Sequence, residues 1–171
     1  MKDNFPPCLA LTLQYEGGWT DDPRDPGGAT MKGVTLAVYE QFKGRAATKD
    51  ELRHIADADL QAIYRQGYWD KLRCDDLPAG VDLVAFDAAV NSGPKRSAQW
   101  LQRAAMVADD GSIGPKSIAA LNALNARQVI NAACDNRLAF LRGLSTFKYY
   151  GRGWVARVAN VRAEATALAS I

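Results

Sequence analysis

Apolar side chains recur every three or four residues along most of this chain, and that spacing restricts it to a mainly helical fold. The pattern is clearest near the C-terminus, where the separations are four, three, four and three positions between Trp154, Val158, Val161, Ala165 and Leu168. Such a stripe is typical of a helix with one buried face. No apolar run approaches the ~20 residues that a membrane-spanning helix needs.

Helix start signals divide the pattern into about eight helices. Thr35 and Asp57 are predicted N-caps, and the sequence TKDE at residues 48–51 predicts a capping box. Pro94 and Pro115 are each predicted to begin a helix, because the N–H that proline lacks is unpaired in a first turn anyway. We therefore expect one mainly α domain.

Two segments rich in glycine are predicted to be irregular. Residues 17–35 are expected to form turns, and this segment could include a short hairpin after the first helix. Residues 145–153, STFKYYGRG, are expected to form the turn that precedes the last helix. The sequence contains no internal repeat, no low-complexity tract and no linker longer than about eight residues.

The cysteine and histidine content argues against several kinds of site. Cys8, Cys74 and Cys134 lie about sixty residues apart, a spacing that fits neither a disulfide framework nor a metal site. We expect them to be small, buried or partly buried apolar residues. With His54 as the single histidine, hydrolytic chemistry has to depend mainly on carboxylates, and no cofactor is expected.

Charge is distributed unevenly along the chain. Residues 1–85 carry 10 Lys and Arg against 14 Asp and Glu, whereas residues 86–171 carry 11 against 5. A basic C-terminal half suits an anionic partner such as a nucleic acid, a membrane surface or an acidic wall polymer. It is equally consistent with a solvated basic surface that has no partner.

Glu16 stands at the end of the first predicted helix, just before Gly17 and Gly18. It follows Leu13 by three residues and Leu9 by seven, so it shares their apolar face. Partial burial and the negative end of the helix dipole both favour the protonated carboxyl. A carboxyl that keeps its proton near neutral pH suits a general acid, although a lone Glu before glycines is otherwise simply a helix end.

A second carboxylate is available in the loop that follows. Glycoside cleavage uses two carboxyl groups that flank the scissile bond. The loop contains Asp21, Asp22 and Asp25, and its two prolines limit its flexibility. Thr30 adds a hydroxyl that could hold a water molecule or a sugar group.

The segment from Glu16 to Thr35, EGGWTDDPRDPGGATMKGVT, resembles the signature of glycoside hydrolase family 108, with Trp19 in place of a usual Tyr and Val34 in place of Ile. The resemblance continues through residues 68–94 and 101–121. It implies a lysozyme-like fold and an N-acetylmuramidase, of the kind found in phage and prophage endolysins, that cleaves the β-1,4 bond between N-acetylmuramic acid and N-acetylglucosamine.

The resemblance also implies roles for particular residues. The glutamate of the family falls on Glu16, which would protonate the glycosidic oxygen. Related phage lysozymes have an Asp nine residues on and a Thr soon after; here these are Asp25 and Thr30, the Thr one residue closer than in those relatives. Asp25 would stabilise positive charge or activate water, and Thr30 would help to place that water.

The resemblance further implies a division of the chain by function. Residues 1–93 would form the catalytic lysozyme-like region. Residues 94–171 would form a helical peptidoglycan-binding region, packed with the first as one compact domain.

Further substrate-binding candidates lie between residues 68 and 91. Asp87 and Asn91 are four apart in an otherwise apolar helix, so they either line a cleft or form a satisfied polar network in the core. Asn91 could hydrogen-bond an N-acetyl group. Tyr68 and Trp69 could stack on a sugar ring or belong to the core.

The basic residues of the C-terminal helices are expected to hold the protein on anionic peptidoglycan or on an outer-membrane surface. They are Arg127, Arg137, Arg142, Lys148, Arg152, Arg157 and Arg162. We expect no nucleic acid partner and a monomer.

The N-terminus does not read as a secretory signal, so we expect synthesis in the host cytoplasm and action on peptidoglycan in the periplasm after release. Two alternatives to a muramidase stay open. One is a lytic transglycosylase that uses Glu16 alone, and the other is a wall-binding module without catalysis.

Overall fold

A computed structural model describes residues 4–22 and 27–170, and it confirms the mainly α fold. Within these residues the helices are α1 (Phe5–Leu13), α2 (Leu36–Lys43), α3 (Lys49–Arg53), α4 (Asp57–Tyr64), α5 (Val81–Ser92), α6 (Pro94–Ala104), α7 (Pro115–Ala123), α8 (Ala126–Arg142) and α9 (Phe147–Leu168). A π-helical turn at Arg65–Trp69 and 3₁₀ turns at Asp70–Leu72 and Cys74–Asp76 join α4 to α5. In these ranges no helix has the length and apolar character needed to cross a membrane.

The described residues form two compact units. The hairpin unit consists of Leu9–Gly67, and the helical unit consists of the residues up to Cys8 and from Tyr68 onward. The hairpin unit contains the only two strands described, β1 (Thr30–Met31) and β2 (Val34–Thr35), which pair antiparallel. The predicted division at residue 93 separates catalytic from wall-binding regions by function. These two units are defined by packing alone, so that division stays a prediction.

Most of the predicted helix starts are confirmed. Thr35 caps α2 by accepting a hydrogen bond from the backbone N–H of Val38, and Thr48 forms a complete capping box with Glu51. Pro94 and Pro115 are the first residues of α6 and α7.

The prediction that Asp57 caps α4 is wrong. Ala56 occupies the cap position without a side-chain hydrogen bond, and Asp57 is already the first helical residue. There its carboxylate still suits the positive end of the helix dipole.

The predicted turn at residues 145–153 is also wrong from Phe147 onward, because α9 begins there and includes two glycines. The ring of Phe147 covers Gly151, where a Cβ would come within 2.8 Å of three ring carbons. Phe147 also contacts Trp154, with 6.3 Å between ring centroids. This aromatic packing offsets the cost of Gly151 in a helix, which is about 1 kcal/mol.

Helix α5 lies at the centre of the helical unit. Every residue from Val81 to Ala89 is buried, and α6, α8 and α9 all pack against this helix. Gly80, just before α5, has a φ of 84°, and a Cβ there would overlap the carbonyl oxygen of Ala165 in α9. A helix buried on all sides explains why its apolar residues show no amphipathic pattern.

The first turn of α5 is held by a buried carboxylate. Asp82 accepts hydrogen bonds from the backbone N–H groups of Gly80 (2.8 Å) and Leu83 (2.7 Å). The side-chain amide of Asn4 donates a third, at 2.8 Å. Burial raises the pKa of Asp82 against the opposing effect of these hydrogen bonds.

The three cysteines are free thiols, each with 1% of its surface exposed, which confirms the expectation that they behave as small apolar residues. Burial raises the pKa of Cys134 to about 11 and raises the pKa values of the Cys8 and Cys74 thiols as well. Because the thiolate is the reactive form, these side chains are unreactive.

Candidate active site

Glu16 lies in a tight turn just beyond α1, which ends three residues earlier than its apolar spacing suggested. The backbone N–H groups of Gln14, Tyr15 and Glu16 donate to carbonyls three residues back, at 3.1–3.2 Å. Such bonds tighten the chain into a 3₁₀-like turn at the helix end. Glu16 is half-buried.

The β-hairpin brings its turn against the Glu16 carboxylate. Lys32 and Gly33 connect the two strands with φ values of 47° and 77°, both in the left-handed region that two-residue hairpin turns require. A Cβ at Gly33 would lie 3.1 Å from Oε2 of Glu16 and 2.5 Å from the hydroxyl oxygen of Tyr64. The missing side chain therefore allows carboxylate and hairpin to approach closely.

Tyr64 holds this turn in place from α4. Its hydroxyl donates a 2.7 Å hydrogen bond to the carbonyl oxygen of Lys32, and its side chain is buried. No sequence pattern singles out Tyr64, since a Tyr on an apolar helix face is typical of a core residue. The sequence of the turn, Lys-Gly between two short strands, was the available signal for Gly33.

Thr30 begins β1, so that it belongs to the hairpin whose turn contacts Glu16. Its backbone pairs with Thr20 through two hydrogen bonds of 2.9 Å. Its hydroxyl donates to the carbonyl oxygen of Gly28 at 3.1 Å, which directs the hydrogen inward and leaves the oxygen as an acceptor. Thr30 is half-buried.

The loop aspartates differ in their surroundings. Asp25 lies outside the described residues. Asp21 is exposed and accepts hydrogen bonds from Lys49 Nζ at 3.0 Å on both carboxylate oxygens. Asp22 is half-buried. Asp21 is therefore already engaged in an ion pair.

Asp87 is in the core of the helical unit, not on an exposed surface as a substrate-binding residue would be. Arg137 Nη1 donates to its Oδ2 at 2.6 Å, and Arg157 Nη2 donates to its Oδ1 at 2.8 Å. The exposed fractions of Asp87, Arg137 and Arg157 are 0%, 1% and 7%. The two arginines surround Asp87 for an electrostatic reason, because a carboxylate buried in an apolar helix needs cations close to it. Of the two alternatives, the polar network in the core is the one observed, and Arg137 Nε is its one polar atom without a hydrogen-bond partner in the described part of the chain.

Asn91 is one helical turn beyond Asp87 and half-exposed. Its side-chain oxygen accepts hydrogen bonds from Arg137 Nη2 at 3.0 Å and from Ser92 Oγ at 3.2 Å. The structure therefore brings Asn91 and Asp87 together through one arginine. Asn91 keeps an accessible side chain and remains a candidate for substrate binding.

Trp69 is a core residue with 1% of its surface exposed. The prediction that its ring stacks on a sugar is therefore wrong. Its ring packs edge-to-face on Phe5 and Phe86, with centroids 5.3 and 5.6 Å away. The indole N–H donates to Asp75 at 2.9 Å. Its neighbour Tyr68 is half-buried.

Two of the basic residues expected on the surface are thus in the core. The available signal was their phase: Arg137 is four residues from the buried Ala133 and from the buried Leu141, and Arg157 is four residues from the buried Val161. A charged residue that lies four residues from buried apolar residues shares their face of the helix, and this face points into the core.

Comparison with known proteins adds an independent observation. The sequence profile of the family described as glycosyl hydrolase 108 matches residues 9–93. Among solved structures, SagA of Brucella abortus is 43% identical in sequence, with a TM-score of 0.86. That similarity covers 99% of this chain and 97% of the SagA chain. No curated sequence gives a significant match.

Proposed function

The chain belongs to the glycosyl hydrolase 108 family and is a glycosidase that acts on peptidoglycan, and from this premise we propose that Glu16 is its general acid. The observation that carries the proposal is the position of the half-buried Glu16 carboxylate against the turn at Gly33. A carboxyl group that packs against a hairpin turn has less freedom to reorient, which favours proton transfer to a glycosidic oxygen.

In the proposed reaction, Glu16 protonates the oxygen of the β-1,4 bond between N-acetylmuramic acid and N-acetylglucosamine. Positive charge then develops at the anomeric carbon, where a second carboxylate stabilises it or activates a water molecule. We assign that role to Asp25, and we assign the placing of water to Thr30, whose hydroxyl oxygen is an acceptor.

The three loop aspartates allow a direct test of the second carboxylate. We expect Asp25→Asn to reduce peptidoglycan cleavage clearly, by about tenfold or more, because a neutral amide stabilises a developing cation poorly. Asp21→Asn and Asp22→Asn are the matched controls, measured by clearing of a cell-wall suspension. A greater loss in either control would move the assignment from Asp25 to that residue.

The products decide between hydrolysis and its closest alternative. A lytic transglycosylase needs only the glutamate and ends with the hydroxyl of muramic acid attacking the anomeric carbon. Mass spectrometry of digested peptidoglycan is expected to show reducing muramic acid ends. Anhydro-muramic ends would establish the transglycosylase instead, and intact glycan strands would leave a wall-binding module.

We further propose that a basic aromatic patch attaches the protein to the wall. The patch consists of Arg142, Lys148, Tyr149, Tyr150 and Arg152. Tyr149 and Tyr150 are 72% and 60% exposed. The three cations are exposed and have no acidic partner in the described part of the chain. Lys148 Nζ lies 4.8 Å from the centroid of the Tyr149 ring. Exposed cations and aromatic rings on one segment suit a polymer that carries both carboxylates and sugar rings.

The other basic residues named above have partners within the protein. Arg137 and Arg157 are bound to Asp87. Arg162 pairs with Asp135, and Arg127 donates to the Ser170 hydroxyl.

Replacing the three cations of the patch with glutamine is expected to weaken binding to purified cell walls about tenfold at low salt. The control changes three exposed cations elsewhere in the helical unit: Lys71, Arg103 and Lys116. Co-sedimentation with cell walls measures the difference. Equal loss in both variants would show that net charge alone acts, and preferential binding to anionic lipid vesicles would assign the patch to a membrane surface.

A further inference from the structure

The side-chain amide of Asn91 is held in one orientation. Its oxygen accepts hydrogen bonds from Arg137 Nη2 and Ser92 Oγ, at 3.0 and 3.2 Å. A guanidinium group has only donors, so the amide oxygen, and not the amide nitrogen, has to face Arg137. Rotating the amide by 180° would place two donors against each other.

Arg137 is itself fixed by its surroundings. It is 1% exposed, and its Nη1 donates to Asp87 Oδ2 at 2.6 Å. Arg157 binds the same carboxylate from α9, through Nε and Nη2. The guanidinium that faces Asn91 therefore cannot turn away without breaking an ion cluster that joins α5, α8 and α9.

The amide nitrogen of Asn91 is the group that this arrangement leaves available. No acceptor faces it from the residues that the structure describes, and the side chain is half-exposed. The two N–H bonds are consequently offered to an external acceptor. A donor fixed before binding loses little conformational freedom when a ligand arrives, which makes it effective in recognition.

We propose that Arg137 is a positioning residue that presents the Asn91 amide as a donor to the acyl oxygen of an acetamido group on the glycan. This inference rests on the proposed function, since both sugars of peptidoglycan carry an acetamido group whose carbonyl oxygen accepts hydrogen bonds. The donor is Asn91. The cluster of Asp87, Arg137 and Arg157 sets its direction and does not contact substrate.

The donor is tested by comparing two substrates. Asn91→Asp retains the oxygen that Arg137 binds but removes the N–H donors, and Asn91→Ala removes them without adding charge. On ordinary peptidoglycan both variants are expected to lose at least about tenfold in kcat/KM, mainly through KM. On peptidoglycan that is partly N-deacetylated by chemical treatment, the same variants are expected to lie within about twofold of the unmodified protein.

Asn131→Asp is the matched control. Asn131 is exposed on α8 and its side-chain oxygen also accepts a hydrogen bond from an arginine, Arg162. This variant is expected to retain full activity on both substrates. An equal loss for the Asn91 variants on both substrates would overturn the inference, and so would unchanged activity on ordinary peptidoglycan.

The positioning role is tested by double variants. Arg137→Lys is expected to lower kcat/KM on ordinary peptidoglycan, but to add nothing when Asn91 is already Ala, because its effect passes through that amide. Ser92→Ala removes the other donor and gives the same test if Arg137→Lys fails to fold. Additive losses would contradict the role. Because Glu16→Gln removes cleavage of both substrates alike, failure of the catalytic assignment is distinguishable from failure of this inference.

Discussion

Glu16→Gln is expected to reduce peptidoglycan cleavage by more than about 10²-fold while leaving the fold unchanged. Glutamine has nearly the same shape as glutamate, so the close approach to Gly33 is retained. It carries no acidic proton, however, and the leaving oxygen would have to depart without protonation. Clearing of a cell-wall suspension measures the rate, and circular dichroism measures the fold.

Glu164→Gln is a suitable control for this change, because Glu164 is exposed on α9. It should leave the rate unaltered. Full activity in the Glu16 variant would end the assignment of the general acid. A loss of both activity and helical signal would instead show that Glu16 is needed for folding of the hairpin unit.

Asp87→Asn is expected to lower the free energy of unfolding by about 3–5 kcal/mol. The carboxylate is the common partner of two guanidinium groups, with a shortest distance of 2.6 Å to Arg137. An amide offers one oxygen instead of two and turns its own donors towards a cation. The variant therefore leaves positive charge buried without compensation.

Urea denaturation measures this effect, and Asp109→Asn provides its control. Asp109 also lies 2.6 Å from an arginine, Arg103, but both side chains are about half exposed. Water screens this pair, so the control should lose less than about 1 kcal/mol. A similar, small loss in both variants would mean that the cluster around Asp87 contributes little to stability.

Local sequence signals predicted the helix boundaries well where the signal depends on neighbouring residues. The cap at Thr35, the capping box at Thr48 and the helix starts at Pro94 and Pro115 are all confirmed. The caps depend on hydrogen bonds to nearby backbone N–H groups, and the proline starts depend on the fixed φ and missing N–H of proline, so a short stretch of sequence contains each signal.

Signals that depend on packing were less reliable. The glycines at 151 and 153 suggested a turn, whereas a helix runs through both and the ring of Phe147 packs over Gly151. The sequence allowed Trp69 either a sugar-binding role or a place in the core, and its aromatic neighbours at positions 5 and 86 place it in the core. Those partners are distant in sequence, so no local pattern identifies them.

The sequence by itself determined the helical fold, most of the helix starts and Glu16 as the candidate acid, because helix periodicity, capping and the family signature are all contained in contiguous residues. Only the tertiary structure decided which polar residues are buried and which groups they contact. Arg137, Arg157 and Asp87 come from three helices, and the approach of Gly33 to Glu16 depends on a hairpin held by Tyr64. The physical reason is that burial and ion pairing depend on distances in space, which local spacing along the chain does not contain.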